Sequence, residues 1–493
     1  MSRPSRHDGD ESAGGGALGG PAHRWPHGLG DWPEILEIPT LPRRKKAEAI
    51  IQPPGSKSLS NRAVLLAALA QGESVIRGGL IDADDAARML GALEQLGAGI
   101  ERQGDGTIRI RGVGGKWRTP AEGVVLNLNN AGTATRFLTA AAVLGDAPIV
   151  IDGNARMRER PIRELADVLP KLGAKVEYLG KAGYPPLRVI PPRVLGKEPG
   201  ATGALELPTT QSSQFISALL LIAPWLKGGL TIRLKGYITS ASYIKMTVGL
   251  LAELGAVVKT SEDLHVVRVG DRPYLPGGVE RSESMGLPAF EYLVEPDASG
   301  ATYFWSAAAM VPGLTCRVQG LDGSSLQGDS GFPSLLERMG AGIEEGENEL
   351  IVTGQNSLRP LLADMSDMPD AAMSLAAVAC FAPGTSVMRG LETLRVKETD
   401  RIEAMRKELT KIGVKVEVAI QGDPDAMSIT PPAGGLDCSA GVERVEFDTY
   451  DDHRMAMSLA LIGLRRPNVW IRHPRCVVKT YPGYWMDLAK VYE

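Results

Sequence analysis

Leu93-Glu94-Gln95-Leu96-Gly97-Ala98 is the stretch on which the fold reading turns, because it comes back. Close variants stand at Leu169-Pro170-Lys171-Leu172-Gly173-Ala174, Leu251-Ala252-Glu253-Leu254-Gly255-Ala256, Leu336-Glu337-Arg338-Met339-Gly340-Ala341 and Leu409-Thr410-Lys411-Ile412-Gly413-Val414, five copies in all. In each, the glycine falls where a helix end takes a left-handed residue. The residues just after it, as in Lys175-Val176-Glu177 and Lys415-Val416-Glu417, alternate like a strand.

A second phrase interleaves with the first: a polar start, a helix of small apolar residues, a Gly/Pro turn and a β-branched strand. It spans Ser60 to Gly78, Thr133 to Gly153, Ser212 to Gly236, Ser299 to Gly320, Asp370 to Gly390 and Asp452 to His473, six copies roughly 70–85 residues apart. That period is too long for a solenoid repeat. Each copy has room for two helices and several short strands, a βαβαββ unit, and six units make two domains of three. The second-phrase helices are apolar nearly all round, which places them in an interior. Their polar starts then point out of each domain, and six partly positive helix ends facing one cleft form an anion-binding field.

Composition agrees with a soluble globular protein and bounds the partners. The chain has 493 residues, 43% hydrophobic and 23% charged, with a net charge of -4. Nothing global favours nucleic acid or an anionic membrane, so any anion site is a local gathering of Lys and Arg. The cysteines, Cys316, Cys380, Cys438 and Cys476, are far apart, which argues against a zinc ribbon or disulfide framework and fits a reducing cytoplasm. The six histidines show no metal-ligand spacing. No apolar run reaches transmembrane length, and Leu219 to Leu226 is broken by Pro224. Residues 1–36 are rich in Gly, Pro, His and charge, and are expected to be a disordered extension.

The chemistry is expected at the helix starts. Pro53-Pro54-Gly55-Ser56-Lys57-Ser58-Leu59-Ser60-Asn61-Arg62 offers hydroxyls, an amide and two cations ahead of the apolar run from Ala63, which is a capped helix or a phosphate site. Asn129-Asn130-Ala131-Gly132-Thr133-Ala134-Thr135-Arg136 opens the second helix, and Ser212-Ser213-Gln214, behind Thr209 and Thr210, opens the third. Asp297-Ala298-Ser299-Gly300 opens the fourth, Asp370-Ala371-Ala372-Met373 the fifth and Asp452-His453-Arg454 the sixth. An Asp at such a start is a cap, or, in a cationic cleft, a base for a hydroxyl. His453 alone reads as a satisfied structural histidine. Arg156, Arg158 and Arg160 share one face if their stretch is extended. Arg395-Val396-Lys397-Glu398-Thr399-Asp400-Arg401 is a solvated charge run on a surface, or, in a cleft, a proton donor beside anion ligands.

Seven of these phrases, in order from about residue 50 to the C-terminus, resemble the 5-enolpyruvylshikimate-3-phosphate synthase family. They are Pro54–Arg62, Asn130–Arg136, Glu159-Arg160-Pro161-Ile162, Ser212–Phe215, Pro369–Met373, Arg395–Arg401 and Asp452–Met457. The resemblance implies two α/β lobes, each of three βαβαββ units with buried helices, joined by a two-stranded hinge. Residues 57–294 would form one lobe, and 37–56 with 295–493 the other. It implies transfer of the enolpyruvyl group of phosphoenolpyruvate to the 5-hydroxyl of shikimate 3-phosphate, without metal or organic cofactor. It further implies a cytoplasmic monomer whose partners are these small molecules, not nucleic acid or membrane.

By motif, the resemblance carries over Lys57 as a bridge to both substrates. Ser58, Arg62, Ser212, Ser213, Gln214, Ser240, Asp370 and Lys397 would hold shikimate 3-phosphate. Gly132, Arg160, Gln214, Arg401, Arg454 and Lys479 would hold phosphoenolpyruvate. Asp370 would take the hydroxyl proton and Glu398 would protonate the methylene carbon. Departures from the family pattern are Phe137 where proline is common, Thr393 where asparagine is common, Thr135, and the long N-terminal segment. The alternatives are the related transferase acting on UDP-N-acetylglucosamine, whose loop cysteine has no counterpart here, and a non-catalytic anion-binding protein, which has no need of both Asp370 and Glu398.

Overall fold

The computed structural model describes residues 32–41, 47–80, 82–104, 106–201, 203–208, 212–274 and 282–493. The expected N-terminal extension therefore lies mostly outside the described residues, as do Thr209 and Thr210. Its assigned end is corrected: Ile35 and Leu36 are already in a strand, Ile35–Ile38, paired antiparallel with Val469–Arg472.

The repeat is realised as a four-stranded sheet laid over two helices. Strand Val124–Asn127 leads through helix Gly132–Ala141 to the parallel strand Ile149–Asp152, and a hairpin of Lys175–Tyr178 and Leu187–Ile190 completes the sheet. The same order recurs with Leu205–Leu207, Leu230–Leu234, Val258–Thr260 and Val266–Val269, and again with Leu362–Asp364, Ser386–Arg389, Lys415–Ile420 and Asp423–Thr430. Two further units borrow their first strand. Glu291–Leu293 pairs with Glu73–Arg77, and Ala47–Ile51 pairs with Leu314–Gln319, both parallel. The sixth unit departs from the expected pattern. Its sheet has three strands, Val445–Phe447, Val469–Arg472 and Ile35–Ile38, so the N-terminal strand replaces the missing hairpin.

Two separate apolar cores result. One gathers buried side chains from Leu59 to Val294, the other those from Leu36 to Ile51 and from Ala298 to Val491. At the centre of each lie the small-residue helices. Every residue of Gly132–Ala141, Ala298–Met310 and His453–Gly463 is buried. Helices so enclosed must satisfy their own polar side chains, and hydroxyls there turn back onto the backbone. Thr135 Oγ1 donates to the Ala131 carbonyl at 2.9 Å, Thr139 Oγ1 to Thr135 at 2.7 Å and Thr302 Oγ1 to Ser299 at 2.7 Å.

The borrowed strands carry the chain between lobes, and the two crossings touch. Ser56 N donates to the Glu295 carbonyl at 2.7 Å and Asp297 N to the Pro54 carbonyl at 2.8 Å, flanking a Gly55–Pro296 bridge. This is a two-stranded hinge at the start of helices Lys57–Leu69 and Ala298–Met310.

The outer sheets close on the inner helices at glycines. A Cβ on Gly354 would lie 2.2 Å from the carbonyl oxygens of both Ala308 and Val311, and one on Gly112 would meet Ala70 and Ala67 oxygens at 2.2 and 2.5 Å. Those contacts are backbone, so nothing can swing aside. Gly354→Ala is expected to cost about 1–3 kcal/mol, the range for overpacking. Thermal unfolding checks it: the melting temperature falls, and an unchanged value would mean the strand has room to shift.

Candidate active site

Capping side chains set the helix starts that face the other lobe. Ser56 Oγ accepts from Leu59 N, Ser212 Oγ from Gln214 N and Asp452 Oδ1 from Arg454 N, at 3.4, 3.3 and 2.9 Å. Between the lobes lies a cavity with about 590 Å³ of empty space, open solvent included. One lobe contributes Lys57, Ser58, Gly132, Arg160, Ser212, Ser213, Gln214 and Ser240 to its wall; the other contributes Asp370, Lys397, Glu398, Arg401 and Arg454. Thirteen residues singled out from sequence thus line one space. Five of the six central helix starts reach it; the Ala298 start instead abuts the first, with Asp297 Oδ2 accepting from Lys57 N at 3.3 Å.

Two of the expected residues are placed differently. The Arg62 guanidinium is 1% exposed and does not line the cavity. It donates to Thr247 Oγ1 (2.9 Å), the Ser58 carbonyl (2.8 Å), the Tyr243 carbonyl (3.2 Å) and Ser217 Oγ (3.3 Å), with the Phe137 ring 5.2 Å away. It braces the wall from behind. Lys479 stands at the edge, in a second cleft beside Asp451 and His473, yet its ammonium donates to Glu398 Oε1 at 2.9 Å and to the Asn130 carbonyl at 3.0 Å.

The three arginines expected on one face are not extended. Met157–Glu159 is a single helical turn, so they diverge. Arg156 crosses to the other lobe, donating to the Lys397 and Glu398 carbonyls at 2.9 and 3.1 Å; Arg158 pairs with Asp152 outside; Arg160 enters the cavity. Gly132 makes room for it: a Cβ there would sit 2.6 Å from Arg160 Nη2.

Arg401 organises the charges. Its guanidinium, 1% exposed, reaches Asp370 Oδ1 (2.8 Å), Glu398 Oε2 (2.8 Å) and Asp452 Oδ2 and Oδ1 (2.7 and 3.1 Å). Asp370 also meets Arg454 Nη2 at 3.1 Å and Lys397 Nζ at 3.2 Å. Burial by itself would raise the Asp370 carboxyl, but Arg454, Lys397 and Arg401 outweigh it and hold it well below the usual range. Burial likewise opposes ionisation of Glu398, and Lys479, Arg401 and Arg160 overcome it. Both carboxylates are therefore ionised among these cations. Burial lowers the Lys397 ammonium, with Asp370 opposing.

Sequence reasoning missed Asp85, Thr133 and Tyr243 as wall residues. Thr133 was within reach, inside the Asn129–Arg136 motif; Tyr243 carried no signal. Thr393, noted only as a departure, also lines the cavity, 6% exposed and with its Oγ1 lacking a hydrogen-bond partner among the described residues. His453 is buried as a structural histidine would be but is not satisfied: among the described residues neither ring nitrogen has a hydrogen-bond partner, although Asp452 Oδ1 lies 3.7 Å from Nδ1. Burial, with Lys57, Arg454 and Arg401 nearby and Glu398 opposing, keeps it neutral. Ser240 holds φ at +53°, a left-handed strain at the wall. Among the described residues no cluster of His, Cys, Asp and Glu could hold a metal, and no helix is long and apolar enough to cross a membrane.

Residues 42–488 match the family model described as EPSP synthase (3-phosphoshikimate 1-carboxyvinyltransferase). The chain belongs to the EPSP synthase family. A 3-phosphoshikimate 1-carboxyvinyltransferase from Thiobacillus denitrificans is 42% identical over 462 residues, covering 92% of this chain and all of that one. One from Citrobacter koseri is 41% identical over 458 residues, covering 92% and 99%. Among solved structures, an EPSP synthase from Acinetobacter baumannii superposes with a TM-score of 0.72 at 25% identity, over 92% of this chain and 97% of that one. An enolpyruvyl transferase from Streptomyces tendae shares the fold, with a TM-score of 0.67 at 18% identity over 93% and 97%. These likenesses identify the fold as the two-lobed arrangement with helices inside and sheets outside.

A buried carboxyl just behind the cavity gives a pH test of this geometry. Asp329 is 3% exposed. Burial pushes it up to about 7 from 3.8; Arg454 opposes, and Asp370 and Asp297 add to the rise. The folded chain therefore holds a proton that the unfolded chain has lost between those values. The stability this group lends is full below about pH 4 and is lost as pH rises to about 7. Asp329→Asn removes that loss, so the variant should gain melting temperature relative to the parent between pH 5 and pH 8. A constant difference across that window would show that Asp329 does not titrate there.

Proposed function

We propose that this chain transfers the enolpyruvyl group of phosphoenolpyruvate to the 5-hydroxyl of shikimate 3-phosphate, releasing phosphate. The observation that carries the reading is the pairing of two carboxylates, Asp370 and Glu398, on one buried guanidinium, within a cavity ringed by Lys57, Arg160, Lys397 and Arg454. Two substrates bearing phosphates and carboxylates need such a ring, and Arg suits planar bidentate anions.

Glu398 delivers a proton to the methylene carbon, C2 becomes cationic, and the hydroxyl oxygen bonds to C2 as its proton passes to Asp370. Departure of phosphate then breaks the C2–O bond. Loss of a methyl proton, back to Glu398, restores the double bond. A strongly ionised Glu398 is a poor acid, but each bound anion offsets the cations around it and raises its pKa towards the task. Asp370 gains basicity in the same way.

Ser58, Ser212, Ser213, Gln214, Ser240 and Lys397 would contact shikimate 3-phosphate; Gly132, Arg160, Arg401, Arg454 and Lys479 would contact phosphoenolpyruvate; Lys57 would contact both. Arg62, which spends four of its five guanidinium N–H groups on Thr247, Ser58, Ser217 and Tyr243, would reach a ligand through the fifth or by giving up one of these bonds. The lobes, 57–294 and 37–56 with 295–493, would open about the hinge and close on substrate. The Arg156 contacts to Lys397 and Glu398 support this, as does Ser242 Oγ donating to the Asp367 carbonyl at 2.5 Å: these bonds form only between closed lobes.

Phosphate release on mixing the protein with shikimate 3-phosphate and phosphoenolpyruvate tests the reaction; release with UDP-N-acetylglucosamine instead would replace it. Asp370→Asn and Glu398→Gln should each lower kcat by about 10²–10⁴-fold, the range for acid–base groups. Shikimate 3-phosphate binding, followed by calorimetry, should change little. Near-normal turnover in either variant would remove that residue from its role. Lys57→Met should weaken phosphoenolpyruvate binding and turnover together.

A further inference from the structure

Three carboxylates line the cavity, and the proposed chemistry uses two. The third, Asp85, is 3% exposed, the second residue of helix Asp84–Gln95. A fixed negative charge in a site for polyanions lowers their affinity unless it does something else. Its surroundings show what. Asp85 Oδ2 lies 3.6 Å from Lys57 Nζ, on the same lobe. Asp85 Oδ1 lies 3.9 Å from Lys479 Nζ, on the opposite lobe, and has no hydrogen-bond partner among the described residues. The guanidinium of Arg160 also faces it. On its other sides Lys479 faces Glu398 and Asp451.

We propose that Asp85 is a positioning residue that draws the Lys57 and Lys479 ammonium groups together across the interlobe gap, presenting them as a pair to the anion of phosphoenolpyruvate. This rests on the reading of the cavity given under Proposed function. Two ammonium groups brought together in a pocket with little water repel one another. A carboxylate between them offsets that repulsion, and since Lys479 arrives from the far lobe, the offset exists only in the closed form. Asp85 touches neither reacting carbon nor hydroxyl in this scheme; it acts through the two lysines.

The sign of the effect on anion binding separates positioning from simple repulsion. If Asp85 only repelled anions, Asp85→Asn would bind them more tightly. Positioning predicts the reverse: inorganic phosphate and phosphoenolpyruvate, titrated by calorimetry into the variant in the presence of shikimate 3-phosphate, bind more weakly than to the parent. kcat/KM for phosphoenolpyruvate falls about tenfold or more, within the range for an Å-scale misplacement, while KM for shikimate 3-phosphate, which only Lys57 of the two lysines would contact, rises by a smaller factor. Lys479 loses a neighbour that favours its charged form, so the part of the alkaline limb it sets in the pH–rate profile moves to lower pH. Asp85→Glu, which keeps the charge, recovers part of the loss.

Equal or tighter anion binding by Asp85→Asn, with an unmoved alkaline limb, overturns the proposal. A melting temperature within a few degrees of the parent and retained shikimate 3-phosphate binding show that the variant is folded. If the parent releases no phosphate from this substrate pair while binding of phosphate still weakens in Asp85→Asn, the reaction assignment fails and the positioning of the lysines stands.

Discussion

One guanidinium holds the site together. Arg401, with almost no exposure, satisfies Asp370, Glu398 and Asp452 at once. Asp452 also caps the helix that carries Arg454, and Arg454 returns to Asp370. The loop is closed, so no member can move alone. Removing the guanidinium would leave three buried carboxylates facing one another, and the cost of breaking such a set exceeds what the pairs contribute on assembly. That asymmetry makes the cluster a constraint on geometry more than a source of stability.

The constraint works because the fold brings helix starts together. Small residues let the central helices pass through the middle of each lobe, with the sheets wrapped outside. Their amino ends then meet in the gap between lobes, the one place where the partial positive charges of several helices can act on a common ligand. The same design explains how a chain with a net charge of -4 can present a strongly cationic cavity. Exposed cations on the sheets are largely matched by acids, as in Arg188 with Glu177 and Arg317 with Glu349. In the gap, the excess belongs to Lys57, Arg160, Lys397, Arg454 and Lys479.

Much of the architecture is legible along the chain. The glycine-ended helical phrase and the small-residue helices reveal units, count and the inside-out arrangement, because both are local patterns repeated often enough to stand out. Residues lying in contiguous motifs, such as Lys57-Ser58 and Ser212-Ser213-Gln214, stand out for the same reason. The expectations that failed depended on distance. The three-stranded sixth sheet needs a strand from the opposite end of the chain, and Arg156, Arg158 and Arg160 diverge because a short helical turn replaced an extended run. Arg62 sits in its motif as expected, but packing of Thr247, Ser217 and Phe137 turned its guanidinium away from the cavity.

Sequence alone determined the repeat, the buried helices and the order of the polar clusters along the chain, since each follows from side-chain size and polarity within a few residues. Only the tertiary structure decided which charges meet. Asp85 was an ordinary acid at a helix start until Lys57 and Lys479 came to either side of it, and His453 was an unremarkable imidazole until burial left both its nitrogens without a hydrogen bond among the described residues. Coulomb energy and desolvation depend on separation in space and on the loss of water, and neither is written in the spacing of residues along a chain.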